Sequence, residues 1–302
     1  MSLDLSTSVG PLKLKNPVLL ASGTCGYGAE LRDMLDLSTI GGVVVKGISL
    51  EPMRGNPPPR IAETPCGLLN AIGLENVGVE RFVREKLPWL RTVDTAVIVN
   101  ILGNTVSDYA EIAARLSDVA GIHAIEVNIS CPNVRHGGVA FGTDPRAAAE
   151  VTKAVRRATP LPVIVKLSPN VTDITGIARS VESAGADAVS LINTILGMKI
   201  DIYTRRPCLA NTFGGLSGPA IMPVALRMVW QVVRAVDIPV IGIGGITTWQ
   251  DAVEFLMAGA CAIEVGTATL VQPSSSCRIV SGIRQFMEEQ QIRDIKSLRI
   301  ES

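Results

Sequence analysis

The run Asn128-Ile129-Ser130-Cys131-Pro132-Asn133 places a thiol between two carboxamides, where the apolar stretch Ala124-Ile125-Glu126-Val127 gives out. An ionised thiol can take a proton, and carboxamides can hold a flat polar ring by its donors and acceptors. Pro132 stops regular structure from continuing. A free cysteine is more often a small core hydrophobe than a reagent, but packing gives no reason for the flanking asparagines. Two lysines occupy similar places: Lys46 follows Val43-Val44-Val45, and Lys166 closes Val163-Ile164-Val165. An ammonium at the end of an apolar strand is desolvated and needs an anion to face. Glycines crowd Ile241-Gly242-Ile243-Gly244-Gly245 and Glu264-Val265-Gly266-Thr267, where backbone N–H groups could cradle a phosphate. Thiol, cations and phosphate cradle together point to flavin chemistry. A cation at the ring's N1/O2 edge would stabilise the charge of the reduced ring. The Cys131 thiolate would take a proton from carbon while a hydride leaves the adjacent carbon, a reaction that should quicken toward alkaline pH.

Apolar runs of strand length fall at residues 17–21, 42–45, 95–101, 124–128, 162–167, 188–192, 239–243 and 262–265. They are continuously apolar rather than alternating, the pattern of parallel strands covered on both faces. Between them, residues 107–119, 145–158, 173–184, 220–236 and 249–258 have helical period; Tyr109, Ile112, Ala113 and Leu116 share one face. Eight strands, each followed by a helical segment, predict an α/β fold, the (β/α)8 TIM barrel, with an open doubly wound sheet as the alternative. No composition shift divides the chain, so residues 1–302 are expected to form one domain. Residues 3–15 should make a short N-terminal β-hairpin turning at Gly10-Pro11 and plugging the barrel bottom. Residues 49–72 and 195–218 are long for simple connections, and are expected to be loops covering a site.

In such a barrel the chemistry gathers at the C-terminal strand ends. Those ends read Ser22-Gly23, Lys46-Gly47, Asn100, Asn128, Lys166, Asn193-Thr194, Gly244-Gly245 and Gly266-Thr267. Most of these types also favour plain turns; the lysines do not. No pair of carboxylates stands at the tips, which argues against glycoside hydrolysis, and no His/Asp/Glu cluster argues for a metal. Glu126 and Glu264 lie within strands, with side-chain directions left open. Gly242-Ile243-Gly244-Gly245-Ile246-Thr247 begins like a dinucleotide fingerprint but ends in Thr247 and lacks the βαβ setting, so no Rossmann site is expected.

Composition narrows the function classes. With 28 basic and 28 acidic residues among 302, there is no electrostatic case for nucleic acid or an anionic membrane. The start of the chain shows no secretion signal, and no apolar run is long enough to span a bilayer; a soluble, cytoplasmic protein is expected. The six cysteines form no C-x-x-C pair and only two histidines occur, which disfavours a zinc or iron–sulfur site in this chain.

The run 128–133, with Asn70-Ala71-Ile72-Gly73-Leu74, Asn193-Thr194 and Gly244-Gly245, resembles the dihydroorotate dehydrogenases over essentially the whole chain. That family is built on an FMN-containing (β/α)8 barrel and oxidises (S)-dihydroorotate to orotate in de novo pyrimidine (UMP) biosynthesis. Cysteine at 131 resembles class 1; the membrane-linked class 2 has serine there and an N-terminal membrane extension. Asn133-Val134-Arg135-His136-Gly137-Gly138 followed by Phe141-Gly142-Thr143-Asp144-Pro145 is similar to the NAD-linked class 1B catalytic subunit rather than the fumarate-using class 1A. The resemblance implies Cys131 as base. It implies Lys46, Asn70, Ala71, Ile72, Gly73, Leu74, Asn128, Asn133, Asn193 and Thr194 around the substrate. It further implies Ser22, Lys46, Gly47, Asn100, Asn128, Lys166, Ile192, Gly218, Gly244, Gly245, Gly266 and Thr267 around FMN. Residues 135–143 would be a mobile lid. The partner would be a subunit with FAD and a [2Fe–2S] cluster, two of each chain forming a heterotetramer around a homodimeric core. The alternatives are a class 1A enzyme, another FMN barrel acting on a pyrimidine or tRNA base, and a non-redox phosphate-binding barrel.

Overall fold

The computed structural model describes residues 3–130 and 141–300. Eight parallel strands close into a barrel: β1 (Val18–Leu20), β2 (Gly42–Ile48), β3 (Ala96–Ile101), β4 (Ala124–Asn128), β5 (Val163–Lys166), β6 (Ala188–Leu191), β7 (Val240–Ile243) and β8 (Ala262–Val265). Each pairs with its neighbours in chain order, and β8 pairs with β1. This is the (β/α)8 architecture expected from the sequence.

The continuous apolar runs arise because each strand feeds two cores. Val43, Val45, Val97, Val99, Ile125, Val127, Val163 and Val165 face outward into a cluster with helix residues such as Tyr109, Ile112, Val151 and Ile177. The alternate residues Leu19, Val44, Ile98, Ala124, Ile164, Ala188, Ile241 and Ala262 face inward, where they meet Val9, Leu12 and Leu14. Those last three belong to the predicted hairpin, whose strands Thr7–Val9 and Leu12–Leu14 pair across Gly10-Pro11. Gly10 sits at φ +57°, against Asp187 at the start of β6. The hairpin therefore closes the N-terminal end, as expected.

Helices Val106–Ser117, Pro145–Ala158, Ile174–Ser183, Met222–Val233 and Trp249–Met257 lie within two to three residues of their predicted bounds. Side-chain caps mark four of the N-termini. Thr105 with Asp108 and Thr248 with Asp251 form reciprocal capping boxes, while Asp144 and Asp173 cap the next two. Two expectations fail. β1 is followed by only two 3₁₀ turns, Ala29–Leu31 and Leu37–Thr39, not by an α-helix. Residues 49–72 and 195–218 are not loops throughout. Ile195–Met198, Phe213–Ser217, Gly67–Asn70 and Ile61–Thr64 pair in that order into an antiparallel sheet. These strands are four or five residues long and three of the four contain glycine, so they carry little periodicity. The glycine is required: a Cβ on Gly215 would lie 2.0 Å from Thr194 Oγ1.

Leu14 is 2% exposed in the barrel floor. Leu14→Ala is expected to destabilise the protein by about 2–5 kcal/mol, read as a lower urea midpoint; an unchanged midpoint would place the hairpin outside the core.

Candidate active site

A strand directs every second side chain into the barrel, so the residues two positions beyond the apolar floor are fixed by register. They are Ala21, Lys46, Asn100, Glu126, Lys166, Ser190, Ile243 and Glu264. Above them opens a cavity of about 340 Å3 at the C-terminal strand ends, covered by the antiparallel sheet. It is lined by Ser22, Lys46, Gly47, Asn100, Asn128, Lys166, Ile192, Asn193, Thr194, Gly244, Gly245, Gly266 and Thr267 from the strand tips. Asn70, Ala71, Ile72, Gly73, Leu74 and Gly218 line it from the cover and its flanks. Every site residue expected from the sequence is thus brought to one cavity, except Cys131 and Asn133, which lie outside the described residues together with 135–140 of the expected lid.

The two lysines differ. Lys166 Nζ stands 3.2 Å from Glu264 Oε2 and 3.5 Å from Glu126 Oε2, with all three side chains buried. Glu126 is fully served: Asn100 Nδ2 donates to Oε2 at 2.6 Å and Ser190 Oγ to Oε1 at 2.7 Å. Glu264 Oε1 is buried with no hydrogen-bond partner. Burial opposes the charge on Lys166, but the Glu126 and Glu264 carboxyls outweigh it and hold the ammonium's proton above the ordinary range. Burial likewise opposes ionisation of Glu126, yet Lys166 prevails and lowers it. Burial, followed by the neighbouring Glu126 charge, raises Glu264 well above a normal carboxyl. Lys46, half-buried on β2, has no acidic partner within ion-pair distance among the described residues, and burial lowers its affinity for the proton. It is the cation left to answer a ligand.

The sequence left the directions of Glu126 and Glu264 open. The signal was present: Ala124-Ile125-Glu126-Val127 and Ala262-Ile263-Glu264-Val265 repeat one pattern, and in both the small alanine faces inward. The carboxyl pair lies beneath the tips, under the cavity rather than on its wall.

Polar contacts fix the amides that line the cavity. Asn193 Nδ2 donates to Ser130 Oγ at 2.6 Å, and Ser130 Oγ donates to Asn128 Oδ1 at 2.8 Å. Tyr109 Oη holds the Asn128 carbonyl at 2.8 Å. On the opposite side, the N–H groups of Gly244, Gly245 and Thr267 donate to no acceptor among the described residues. Gly245, at φ +77°, has Met222 where its Cβ would be, with contacts of 2.5–2.8 Å. A side chain there would collide with the start of helix Met222–Val233 rather than fill the cavity. Free backbone donors, a buried cation and a cleft within the usual 300–1,000 Å3 of ligand sites fit a flavin mononucleotide.

The family model described as "Dihydroorotate dehydrogenase" matches residues 4–287. The chain belongs to the dihydroorotate dehydrogenase family. Curated relatives carry the name dihydroorotate dehydrogenase B (NAD(+)), catalytic subunit. That of Geobacter sp. (strain M21) is 58% identical over 98% of this chain and 97% of its own. That of Trichlorobacter lovleyi is 58% identical over 99% and 98%, and that of Geobacter sulfurreducens 57% over 98% and 97%. A solved structure of DHODH from Eimeria tenella in complex with ferulenol superposes with TM-score 0.79 at 22% identity, covering 98% of this chain and 87% of that one. That likeness shows the fold.

Lys166→Met is expected to lower stability by about 3–5 kcal/mol, because it strands buried carboxyl groups. Without the cation both carboxyls hold protons in the folded state that the unfolded chain releases above the ordinary carboxylate pKa. The deficit in urea unfolding should therefore grow as pH rises; a deficit independent of pH would contradict the network.

Proposed function

We propose that this chain oxidises dihydroorotate to orotate in pyrimidine biosynthesis, as the FMN-bearing catalytic subunit of an NAD-linked, class 1B enzyme. The observation that carries the reading is the gathering of all the expected site residues among the described ones around one cavity, with an unpaired lysine on one wall and free backbone donors on another. The names of full-length relatives at 57–58% identity support the NAD-linked assignment.

Gly244, Gly245, Gly266 and Thr267 would hold the FMN phosphate, with Ser22, Gly47, Asn100, Ile192 and Gly218 around the rest of the cofactor and Lys166 beneath its ring. When bound, FMN supplies the two-electron acceptor for the substrate's hydride. Asn70, Asn128, Asn133 and Asn193 would pair with the pyrimidine's carbonyls and N–H groups, while Thr194 and the backbone of 71–74 close around it. Lys46 Nζ answers the substrate carboxylate. Cys131 Sγ, as thiolate, takes the proton from carbon. Substrate held beside the base would make the proton transfer effectively intramolecular.

No described helix is long and apolar enough to cross a membrane. We place the protein in the cytoplasm, the whole chain as one domain. It would form a homodimeric core in a heterotetramer with two subunits carrying FAD and a [2Fe–2S] cluster, which pass electrons to NAD.

Cys131→Ala should retain FMN and lose about 10²- to 10⁴-fold in the rate of flavin reduction by dihydroorotate, measured by stopped flow; a wild-type rate removes the thiol from its role. In the wild type that rate should climb with pH as the thiol ionises, and a flat profile would argue against a thiolate base. The chain purified with its native partner should reduce NAD; turnover with fumarate and none with NAD would favour the class 1A alternative.

A further inference from the structure

Glu126 and Glu264 approach from opposite sides of the barrel and both reach Lys166 Nζ, at 3.5 and 3.2 Å, with all three side chains buried. One ammonium offsets one carboxylate, so burying the second carboxyl beside it without a charge partner of its own requires a proton. Their surroundings decide which carboxyl carries it. Glu126 accepts from Asn100 and Ser190 and faces Lys166 at 3.5 Å, whereas Glu264 has Lys166 on one oxygen and nothing on the other. The charge thus rests on Glu126 and the proton on Glu264.

We propose that Glu264 is a positioning residue that, by keeping one proton on the pair of carboxyls, makes the buried Glu126–Lys166–Glu264 cluster neutral rather than anionic beneath the cofactor ring. The inference rests on the flavin reading above and deepens it. Lys166 lines the cavity and the two carboxyls do not, so the ring meets an ammonium whose charge is offset once, not twice. Loss of the shared proton would put a net negative charge under a ring that itself gains negative charge on reduction, and would disfavour the reduced form. No bond is exchanged; the proton stays on the pair.

The other charges nearby are few. β4 brings Glu126 and β5 brings Lys166, while Cys25 follows β1, its thiol pushed up to about 12 by burial and then by Glu264. The strands flanking Glu264, β1 and β7, carry no titratable side chain. Asn100 and Ser190 stand in the same inward layer as neutral donors, Ala21 and Ile243 are apolar, and Lys46 on β2 is the layer's other cation, with no ion pair to either carboxyl. The pair is therefore the group whose ionisation would reach Lys166 first.

The test is spectroelectrochemistry of the FMN-loaded protein across pH, beside Glu264→Gln, which keeps the shape and fixes the neutral state. In wild type the midpoint potential should fall more steeply above the ionisation of the pair. The extra fall should amount to about tenfold in relative affinity for reduced over oxidised flavin, or ~30 mV for a two-electron couple. Glu264→Gln should keep FMN and lack this extra fall; superimposable profiles would overturn the proposal. If the variant does not fold, the infrared carbonyl band of a protonated carboxyl in wild-type protein decides: present at neutral pH and lost on alkaline titration supports it, absent at neutral pH overturns it. Protein that takes up no FMN but shows the band would overturn the flavin reading and leave the shared proton standing.

Discussion

The structure turns on the burial of the Lys166 ammonium inside the barrel. Moving such a charge out of water costs several kcal/mol even after relaxation, and a single buried ion pair often fails to recover it. Here the recovery is spread over two carboxyls and a ring of neutral donors, with Asn100 and Ser190 fixing Glu126 so that it cannot turn away. The alternative would be an apolar residue at 166, packed like Ile243 two strands on. A fold selected for stability alone would favour that choice, so the charge is explained by what the cavity above it has to bind.

The barrel separates these demands by height. Its inward floor is entirely aliphatic and sealed by the hairpin residues Val9, Leu12 and Leu14. One inward position higher, the layer is charged and hydrogen-bonded; one loop higher, it is open to ligand. Because strands alternate strictly, two residues carry the chain from packing to chemistry: Val44 to Lys46, Ile98 to Asn100, Ile164 to Lys166, Ala262 to Glu264. The arrangement agrees with the general division in such barrels between a stabilising N-terminal face and a functional C-terminal one.

That regularity explains what could be read from sequence. Parallel strands buried on both faces leave long apolar runs, so all eight were legible, and with them the tips where Lys46, Asn128 and Lys166 stand. The cover sheet was not legible, because strands such as Gly67–Asn70 and Phe213–Ser217 are short and depend on glycine for close approach instead of on alternating hydrophobicity. The carboxyl pair was missed for another reason. An acidic residue inside an apolar strand faces either water or the core, and only the inward alanine two positions before it settles the choice. Cys131 and Asn133 rest on the sequence motif, since they fall outside the described residues.

The contrast between Lys46 and Lys166 carries the argument to ligand binding. Both stand two positions beyond an inward aliphatic residue of the same barrel, yet Lys166 is balanced within the protein and Lys46 is not. Burial lowers the affinity of Lys46 for its proton, so without ligand the folded state holds this group at a disadvantage, and the disadvantage disappears when an anion arrives. Lys46 therefore makes stability depend on occupancy, because whatever binds the folded chain alone stabilises it by mass action. Lys166 does the opposite: its partners are permanent, so its field is in place before any ligand enters. A site built this way has one preorganised cation and one that waits to be answered, which suits a resident cofactor beside an exchangeable, negatively charged substrate.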